Sequence, residues 1–93
     1  MKTYLVAGHI RDGYDSIKEN DLPSGTLVVT GSQQLRGIRN CILYVDPSIN
    51  HNGVDSKIKE VIKYYEQNFK DIEVVYLEWY AQKEKLLLTT EGL

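Results

Sequence analysis

The sequence has only one cysteine, two prolines and two histidines among its 93 residues. A single cysteine can neither form a disulfide within the chain nor complete a cysteine-based metal site. Cys41 lies in the apolar run CILYV, so we expect a buried and inert thiol. This cysteine usage fits a reducing compartment, and the cytoplasm is the location that we expect.

The sequence also lacks a large excess of charge of one sign, and it lacks long apolar runs. Its 11 basic residues stand against 13 acidic ones, and the formal net charge is −2. Proteins that bind duplex DNA present a strongly basic face, so we expect no duplex nucleic acid as a partner. No apolar run approaches the ~20 residues of a membrane span, and the start MKTYLVAGHIRDG is too polar for a signal peptide. We therefore expect no membrane partner.

Several motifs of nucleotide-binding and nucleophilic enzymes are absent. Gly8 and Gly13 do not form G-x-G-x-x-G, and neither G-x-x-x-x-G-K-[ST] nor G-x-S-x-G occurs. ATP hydrolysis and acyl transfer are therefore disfavoured. His9 and His51 are predicted to lie on loops that face each other, but two histidines without a cysteine or a close spacing make a poor ligand set. We expect no metal and no cofactor.

What the sequence does contain is an alternation of strand and helix patterns. Four apolar runs predict strands at 3–8, 26–30, 41–45 and 72–79. A loose helical spacing predicts a helix over 11–22, with Asp12 as a candidate N-cap. A second helix, which Asp55 or Ser56 could cap, follows from apolar side chains on one face: Ile58, Val61, Ile62, Tyr65 and Phe69.

This alternation predicts an α/β fold, namely a small Rossmann-like sheet of four mainly parallel strands with flanking helices, in a single domain over residues 1–93. The third run is apolar without alternation, which indicates a central strand covered on both faces. We expect the flavodoxin-like strand order 2-1-3-4. Between strands two and three, at most two helical turns fit, and the segment DPSINHNG is predicted to be a loop. The tail 81–93 fits either a helix or an edge strand.

In such a sheet, ligands bind at the carboxyl ends of the strands where the strand order reverses. The loops at 8–14 and 46–53 would form the two sides of that crevice. Candidate ligand-binding residues lie in these loops and after strand two: Gly8, His9, Arg11, Ser32, Arg36, Arg39, Asp46 and Ser48.

Each of these polar positions has two interpretations. Gly31 and Ser32 form either a plain turn or the start of a helix whose N–H groups bind an anion. Arg36 and Arg39 either grip phosphate or carboxylate with their planar forks, or are solvated or salt-bridged. Asp46 either begins a turn by accepting a backbone N–H, or acts in catalysis.

The stretches TYLVAGH and VVTGSQQLRGIRNCILYV resemble the layout of small phage and prophage proteins, in which a strand precedes Leu-Arg-Gly and another strand follows. The resemblance is carried chiefly by Leu35, Arg36 and Gly37. It implies a phage-borne accessory protein with a Rossmann-like fold, and it implies no established activity. The loop DPSINHNG and the tail lie outside this pattern.

Three functions follow from these features. The first is noncatalytic binding of a phosphate-bearing small molecule, such as a nucleotide or a nucleotide signal, at the carboxyl ends of the strands. The second is an interaction module that binds and blocks a host protein, and the third is a small hydrolase or phosphotransferase that uses Asp46. The chain's seven tyrosines suit both binding interpretations. The apolar tail KLLLTTEGL predicts a homo-oligomer, most simply a dimer.

Overall fold

The computed structural model describes residues 1–77 of the chain. Strands and α-helices alternate in the order β1 (Lys2–Val6), α1 (Ile10–Glu19), β2 (Leu27–Val29), β3 (Cys41–Val45), α2 (Lys57–Asn68) and β4 (Ile72–Tyr76). A first 3₁₀ turn, Ser32–Leu35, follows β2, and a second, Pro47–Asn50, follows β3.

The four strands form one parallel sheet in the order β2-β1-β3-β4. This confirms the predicted α/β class and the flavodoxin-like strand order. β3 lies between β1 and β4 and pairs with both along its whole length, from Cys41 to Val45. The strand order reverses between β1 and β3, so the carboxyl ends of these two strands flank the crevice that such a topology forms.

The two α-helices cover opposite faces of the sheet. Side chains alternate along a strand, so Leu5 and Val28, which are register partners, share one face while Val6 faces the other. α1 packs on the first face through Gly13, where an added Cβ would lie 2.5 Å from Val28 Cγ1. Val6 belongs to the core on the second face, where α2 supplies its two buried isoleucines.

α2 packs through the face that its sequence spacing predicts. Ile58 and Ile62 are 0% and 1% exposed, and burying each side chain contributes about 1.5–3 kcal/mol. Val61, Tyr65 and Phe69 pack partly buried against the same core. The Tyr65 hydroxyl also donates a 2.6 Å hydrogen bond to the carbonyl of Leu35, which ties α2 to the first 3₁₀ turn.

α1 differs from its predicted boundaries at both ends. His9 rather than Asp12 occupies the N-cap position, and Asp12 lies in the first turn of the helix. The helix ends at Glu19 rather than at residue 22, because Asp21 adopts a left-handed φ of 51° that a helix cannot contain. The prediction of Asp12 as the N-cap was therefore wrong, since the helix begins before it.

The segment after β3 also differs from the prediction of a loop. Pro47 is the first residue of the second 3₁₀ turn, where its fixed φ is favourable and its missing N–H costs no helical bond. β4 ends at Tyr76, and the predicted continuation of this strand to residue 79 lies outside the described residues. The predictions for the tail 81–93 lie outside them as well.

Cys41 is 1% exposed, and burial raises the pKa of its thiol. The predicted burial is confirmed. Neither of the α-helices in residues 1–77 combines the length and the apolar character that crossing a bilayer requires.

Candidate functional site

The crevice between β1 and β3 is closed by contacts between its two loops. The Gly8 N–H donates across the crevice to Ser48 Oγ at 2.8 Å, and within the second loop the His51 N–H donates to the Ser48 carbonyl at 3.0 Å. A Cβ on Gly8 would collide with that same carbonyl oxygen and lie 2.8 Å from a methyl group of Val54. Only glycine lets the two loops approach this closely.

Asp46, directly after β3, connects the loop after this strand to α1. Its side chain is 1% exposed, and Oδ2 accepts the Ser48 N–H at 3.0 Å, while Oδ1 accepts the hydroxyl of Ser16 on α1. The bond from Ser48 is the turn-forming contact that was one of the two interpretations of Asp46. The bond from Ser16 also connects the turn to α1. Both carboxylate oxygens accept hydrogen bonds from described residues, and these bonds give Asp46 a structural role.

Three side chains of the kinds that bind metal ions lie together at the edge of the crevice. His9, Asp12 and His51 bring their ligating atoms within 4.8 Å of one another, and the two imidazole rings lie 6.3 Å apart, centroid to centroid. Sequence reasoning paired the two histidines but missed Asp12, which it assigned to capping. The available signal was the spacing of His9 and Asp12, since residues three apart lie on one side of a helical turn.

A cavity of about 100 Å³ lies beneath this cluster. It is lined by Asp12, Asp15, Ser16, Glu19, Asp46, Ser48 and His51. Four of these residues are carboxylic acids, so the local field favours cations and opposes phosphate. A negatively charged ligand is poorly matched to the interior of the crevice.

A second polar region lies at the carboxyl end of β2. The Ser32 N–H and hydroxyl both donate to Asp55 Oδ2, at 2.9 and 2.7 Å, and Asp55 Oδ1 accepts the Lys57 N–H at 3.0 Å. These hydrogen bonds hold the pKa of Asp55 below its usual value, those from Ser32 contributing most. The Asp55 carboxylate therefore accepts hydrogen bonds from the Ser32 donors that the sequence analysis considered for an external anion.

The donors that precede Ser32 are satisfied locally. Gln34 Oε1 accepts the Thr30 N–H at 2.9 Å and the Gly31 N–H at 3.1 Å. With Ser32 engaged by Asp55, the backbone of this turn presents no ready cradle for phosphate. Side chains around the turn are then the main groups that could hold an anion here.

Two such side chains border one groove, which we call the Arg36 groove. It consists of two adjoining cavities of about 480 and 490 Å³ that share Ser32, Arg36 and Lys57. Their other lining residues are Thr30, Gly31, Gln33, Gln34, Asp55, Glu60, Val61, Tyr64 and Tyr65. The groove thus runs between the first 3₁₀ turn and the start of α2.

Arg36 is exposed, and its guanidinium makes no hydrogen bond or ion pair with any residue of the described chain. Within the same range, the Lys57 ammonium forms no ion pair, although its charge helps to lower the pKa of Asp55. Gly37, directly after Arg36, has a φ of 74°, the left-handed conformation that glycine adopts without strain. The groove therefore has two cationic groups with unused hydrogen-bonding capacity.

Arg39 lies elsewhere, beside the amino end of β3. Its Nε and Nη2 form a bidentate pair with Asp71 at 2.8 and 2.9 Å, and its guanidinium lies 4.5 Å from the centre of the Phe69 ring. Asp71 also accepts the Asn40 N–H at 2.8 Å, and these contacts, that of Arg39 above all, lower the pKa of Asp71 to about 2. Arg39 is salt-bridged, which is the alternative that its sequence context left open.

The structure thus divides the sequence-derived candidates into three groups. It brings Gly8, His9, Asp46 and Ser48 together at the crevice, with Arg11 exposed in the neighbouring first turn of α1. Ser32 and Arg36 border the Arg36 groove, and Arg39 lies at the amino end of β3.

A further cavity of about 430 Å³ lies at the carboxyl ends of β3 and β4. Its lining includes Ile49, Ile62 and Tyr76, with Lys59 and Lys63 also on its wall. Leu77, the last described residue, is part of the same wall.

The fold defines a small α/β protein with a Rossmann-like parallel sheet and two polar regions at the carboxyl ends of its strands. Comparison of the chain with protein-family models, curated proteins and solved structures finds no match.

Proposed function

We propose that this protein is a noncatalytic binding protein that holds a phosphate-bearing small molecule in the Arg36 groove. The observation that carries the proposal is the presence of Arg36 and Lys57 on one groove without an ion pair among the described residues. The lining also contains the carboxylates of Asp55 and Glu60, and Asp55 is already hydrogen-bonded to Ser32, so Arg36 and Lys57 are the groups of the groove that suit an anion.

The two cations suit phosphate in complementary ways. The planar guanidinium of Arg36 can donate two parallel hydrogen bonds to a phosphate, whereas the Lys57 ammonium acts as a mobile point charge. Lys57 is also the first residue of α2, so the positive end of the helix dipole adds to the attraction. A charge-assisted hydrogen bond of this kind contributes about 1.5–3 kcal/mol.

The remainder of the groove fits a flat organic group. Tyr64 is 56% exposed on the wall of the groove, and its ring is held edge-on against Phe69 with 5.7 Å between centroids. A fixed aromatic ring offers stacking area at a low entropy cost. The cavity volumes fall within the range of small-molecule sites, about 300–1,000 Å³. Together these features favour a nucleotide over inorganic phosphate.

The crevice is the less suitable place for the phosphate. Its cavity is about 100 Å³ and is lined by carboxylic acids, including Asp15 and Asp46. Asp46, the residue that the hydrolase or phosphotransferase alternative uses, is buried and hydrogen-bonded through both oxygens to Ser16 and Ser48. These contacts favour binding without catalysis.

Isothermal titration of the purified chain with ADP, and separately with pyrophosphate, tests the proposal. We expect ADP to bind more tightly, because pyrophosphate has no ring to stack on Tyr64. Arg36→Ala should weaken ADP binding by about ten- to a hundredfold, and Arg36→Lys should restore it only in part. Melting temperature should hardly change, since Arg36 is exposed.

Arg11→Ala is the matched control, because it removes the same charge from another exposed position. Equal losses of ADP affinity in Arg11→Ala and Arg36→Ala would place the effect in the overall charge and contradict the groove. Native mass spectrometry of the purified protein separates the alternatives further: a released small molecule supports the proposal, and a copurified host protein supports the interaction module. The resemblance to phage proteins stays a prediction.

A further inference from the structure

His9 and His51 are the only histidines of the chain, and they come from two different loops. His9 follows β1, and His51 follows the second 3₁₀ turn after β3. Despite this separation, both imidazoles lie with the Asp12 carboxylate in one cluster whose ligating atoms are within 4.8 Å of one another. Both rings are exposed and Asp12 is half-buried, so an ion can enter from solvent.

The backbone that carries these side chains is fixed on both sides of the crevice. Gly8 precedes His9 and donates its N–H to Ser48 Oγ, and the His51 N–H donates to the Ser48 carbonyl. The Gly13 N–H donates to the His9 carbonyl at 3.1 Å, which places Asp12 in the first helical turn beside His9. Ser48 therefore connects its own loop, which bears His51, to the loop that bears His9, and this contact holds the backbones of the two histidines close together.

The chemistry of the cluster selects a class of ion. Two imidazole nitrogens and one carboxylate oxygen suit Zn²⁺ and its neighbours among the transition metals, whereas Mg²⁺ and Ca²⁺ prefer oxygen ligands throughout. Zinc ligands lie about 2 Å from the metal, so ligand atoms in a tetrahedral shell are about 3.4 Å apart. Because His9 and His51 are exposed, a bound ion could draw their ligating atoms from within 4.8 Å to that spacing by rotation about the side-chain bonds.

We propose that His9, Asp12 and His51 bind one Zn²⁺-type divalent ion per chain, with water in the remaining coordination position. Asp15 and Glu19 line the cavity beneath the cluster and add negative potential that draws a cation to it. The site is separate from the Arg36 groove and shares none of the groove's lining residues. The proposal departs from the expectation from sequence that the two histidines would be a poor ligand set, because the Asp12 carboxylate lies beside them.

Titration of the full chain, free of any affinity tag, with Zn²⁺ and with Co²⁺ as a coloured substitute tests this proposal. We expect one ion per chain, a raised melting temperature in the presence of Zn²⁺, and a Co²⁺ absorption spectrum of nitrogen and oxygen ligands. His9→Ala, His51→Ala and Asp12→Asn should each lower affinity at least about tenfold and alter the Co²⁺ spectrum. Circular dichroism should show that each variant remains folded without metal, since neither histidine side chain is buried.

Asp15→Asn is the control, because it removes a carboxylate from the same cavity without touching the three ligands. It should change affinity less than the three ligand variants do. The proposal is overturned if the wild-type chain binds neither ion, if His51→Ala binds Zn²⁺ as tightly as wild type, or if sedimentation shows that each ion requires two chains. Loss of ADP binding in the Arg36 groove would leave this result unaffected.

Discussion

Two segments of the molecule have the same sequence pattern, in which a strand is followed one residue later by glycine and a polar residue. The hydrogen bonds that these two glycines make are different. Gly8 and His9 follow β1, and Gly31 and Ser32 follow β2 after Thr30. At the crevice, the Gly8 N–H is satisfied by Ser48, a residue from another loop. At the groove, the Gly31 N–H is satisfied by Gln34 within the same turn.

The difference shows that a position at the carboxyl end of a strand does not by itself identify a ligand site. The crevice uses its polar groups to hold two loops together, and its carboxylates leave it suited to a cation. At the groove, Gln34 and Asp55 accept backbone N–H groups of the turn, and the side chains of Arg36 and Lys57 form no ion pair within the described residues. The distribution of unpaired charge separates the two regions.

The largest expected effect is unfolding, which would disrupt both the crevice and the Arg36 groove. α2 supports the groove and packs beside the loop after β3, and Ile62 is 1% exposed at its centre. Ile62→Asp buries an unpaired charge in place of packed methyl groups and should cost about 5 kcal/mol, enough to unfold a domain of ordinary stability. Lys63→Asp should hardly change the melting temperature. Equal melting temperatures for the two variants would contradict the assignment of the buried face.

The next largest effect is a difference in stability between alanine variants of Gly8 and Gly31. Gly8→Ala drives a methyl group against the Ser48 carbonyl and should destabilise the fold by about 3 kcal/mol. Gly31→Ala should change stability little, because the nearest atom to its added Cβ is Gln34 Oε1 at 3.9 Å and its φ of −141° suits any residue. Chemical denaturation measures both. A similar loss in the two variants would remove the contrast between a closed crevice and an open groove.

A smaller loss is expected at the carboxylate of the crevice. Asp46→Ala leaves the Ser48 N–H and the Ser16 hydroxyl without their buried acceptor and should cost about 2 kcal/mol. Asp46→Asn should cost less, because its amide oxygen still accepts the Ser48 N–H and its NH₂ can donate to the Ser16 hydroxyl. Thermal unfolding of the two variants gives the order. A stable Asp46→Ala would show that the carboxylate is not needed for structure.

The smallest expected effect is a loss of stability at low pH that arises from Asp55 in the Arg36 groove. The pKa of Asp55 is held below the ordinary 3.8 by the Ser32 donors, so its contribution to stability is complete above that pH. As the pH falls through the lowered pKa of the folded state, Asp55 takes up a proton and this contribution is lost. The Ser32 amide resonance should follow this titration by NMR. In Asp55→Asn the Ser32 transition should disappear, and its persistence there would assign it to another group.

The central position of β3 and the buried face of α2 were predictable because both depend on local spacing. The apolar run at Cys41–Val45 indicated a central strand, and the spacing of Ile58 and Ile62 indicated the face that packs. Both predictions concern the period of a single segment, which is set by backbone geometry. The alternation of these segments then restricts the topology through right-handed crossovers.

The side-chain partners were not predictable by such means. Arg36 and Arg39 have almost the same sequence context, yet Arg39 is paired with Asp71, which lies 32 positions away, and Arg36 is unpaired within residues 1–77. Asp55 reaches Ser32 across 23 positions. These contacts depend on which loops the finished fold brings together, and no local period encodes them.

The most direct test of the account follows backbone amides by NMR as ADP is added to the full chain. The account predicts that the largest shifts occur at Ser32, Arg36, Lys57 and Tyr64, around the Arg36 groove, while Gly8 and His51 at the crevice stay near their starting positions. The reverse pattern, with the largest shifts at Gly8 and His51, would contradict it. Binding that moves none of the four groove amides would contradict it equally.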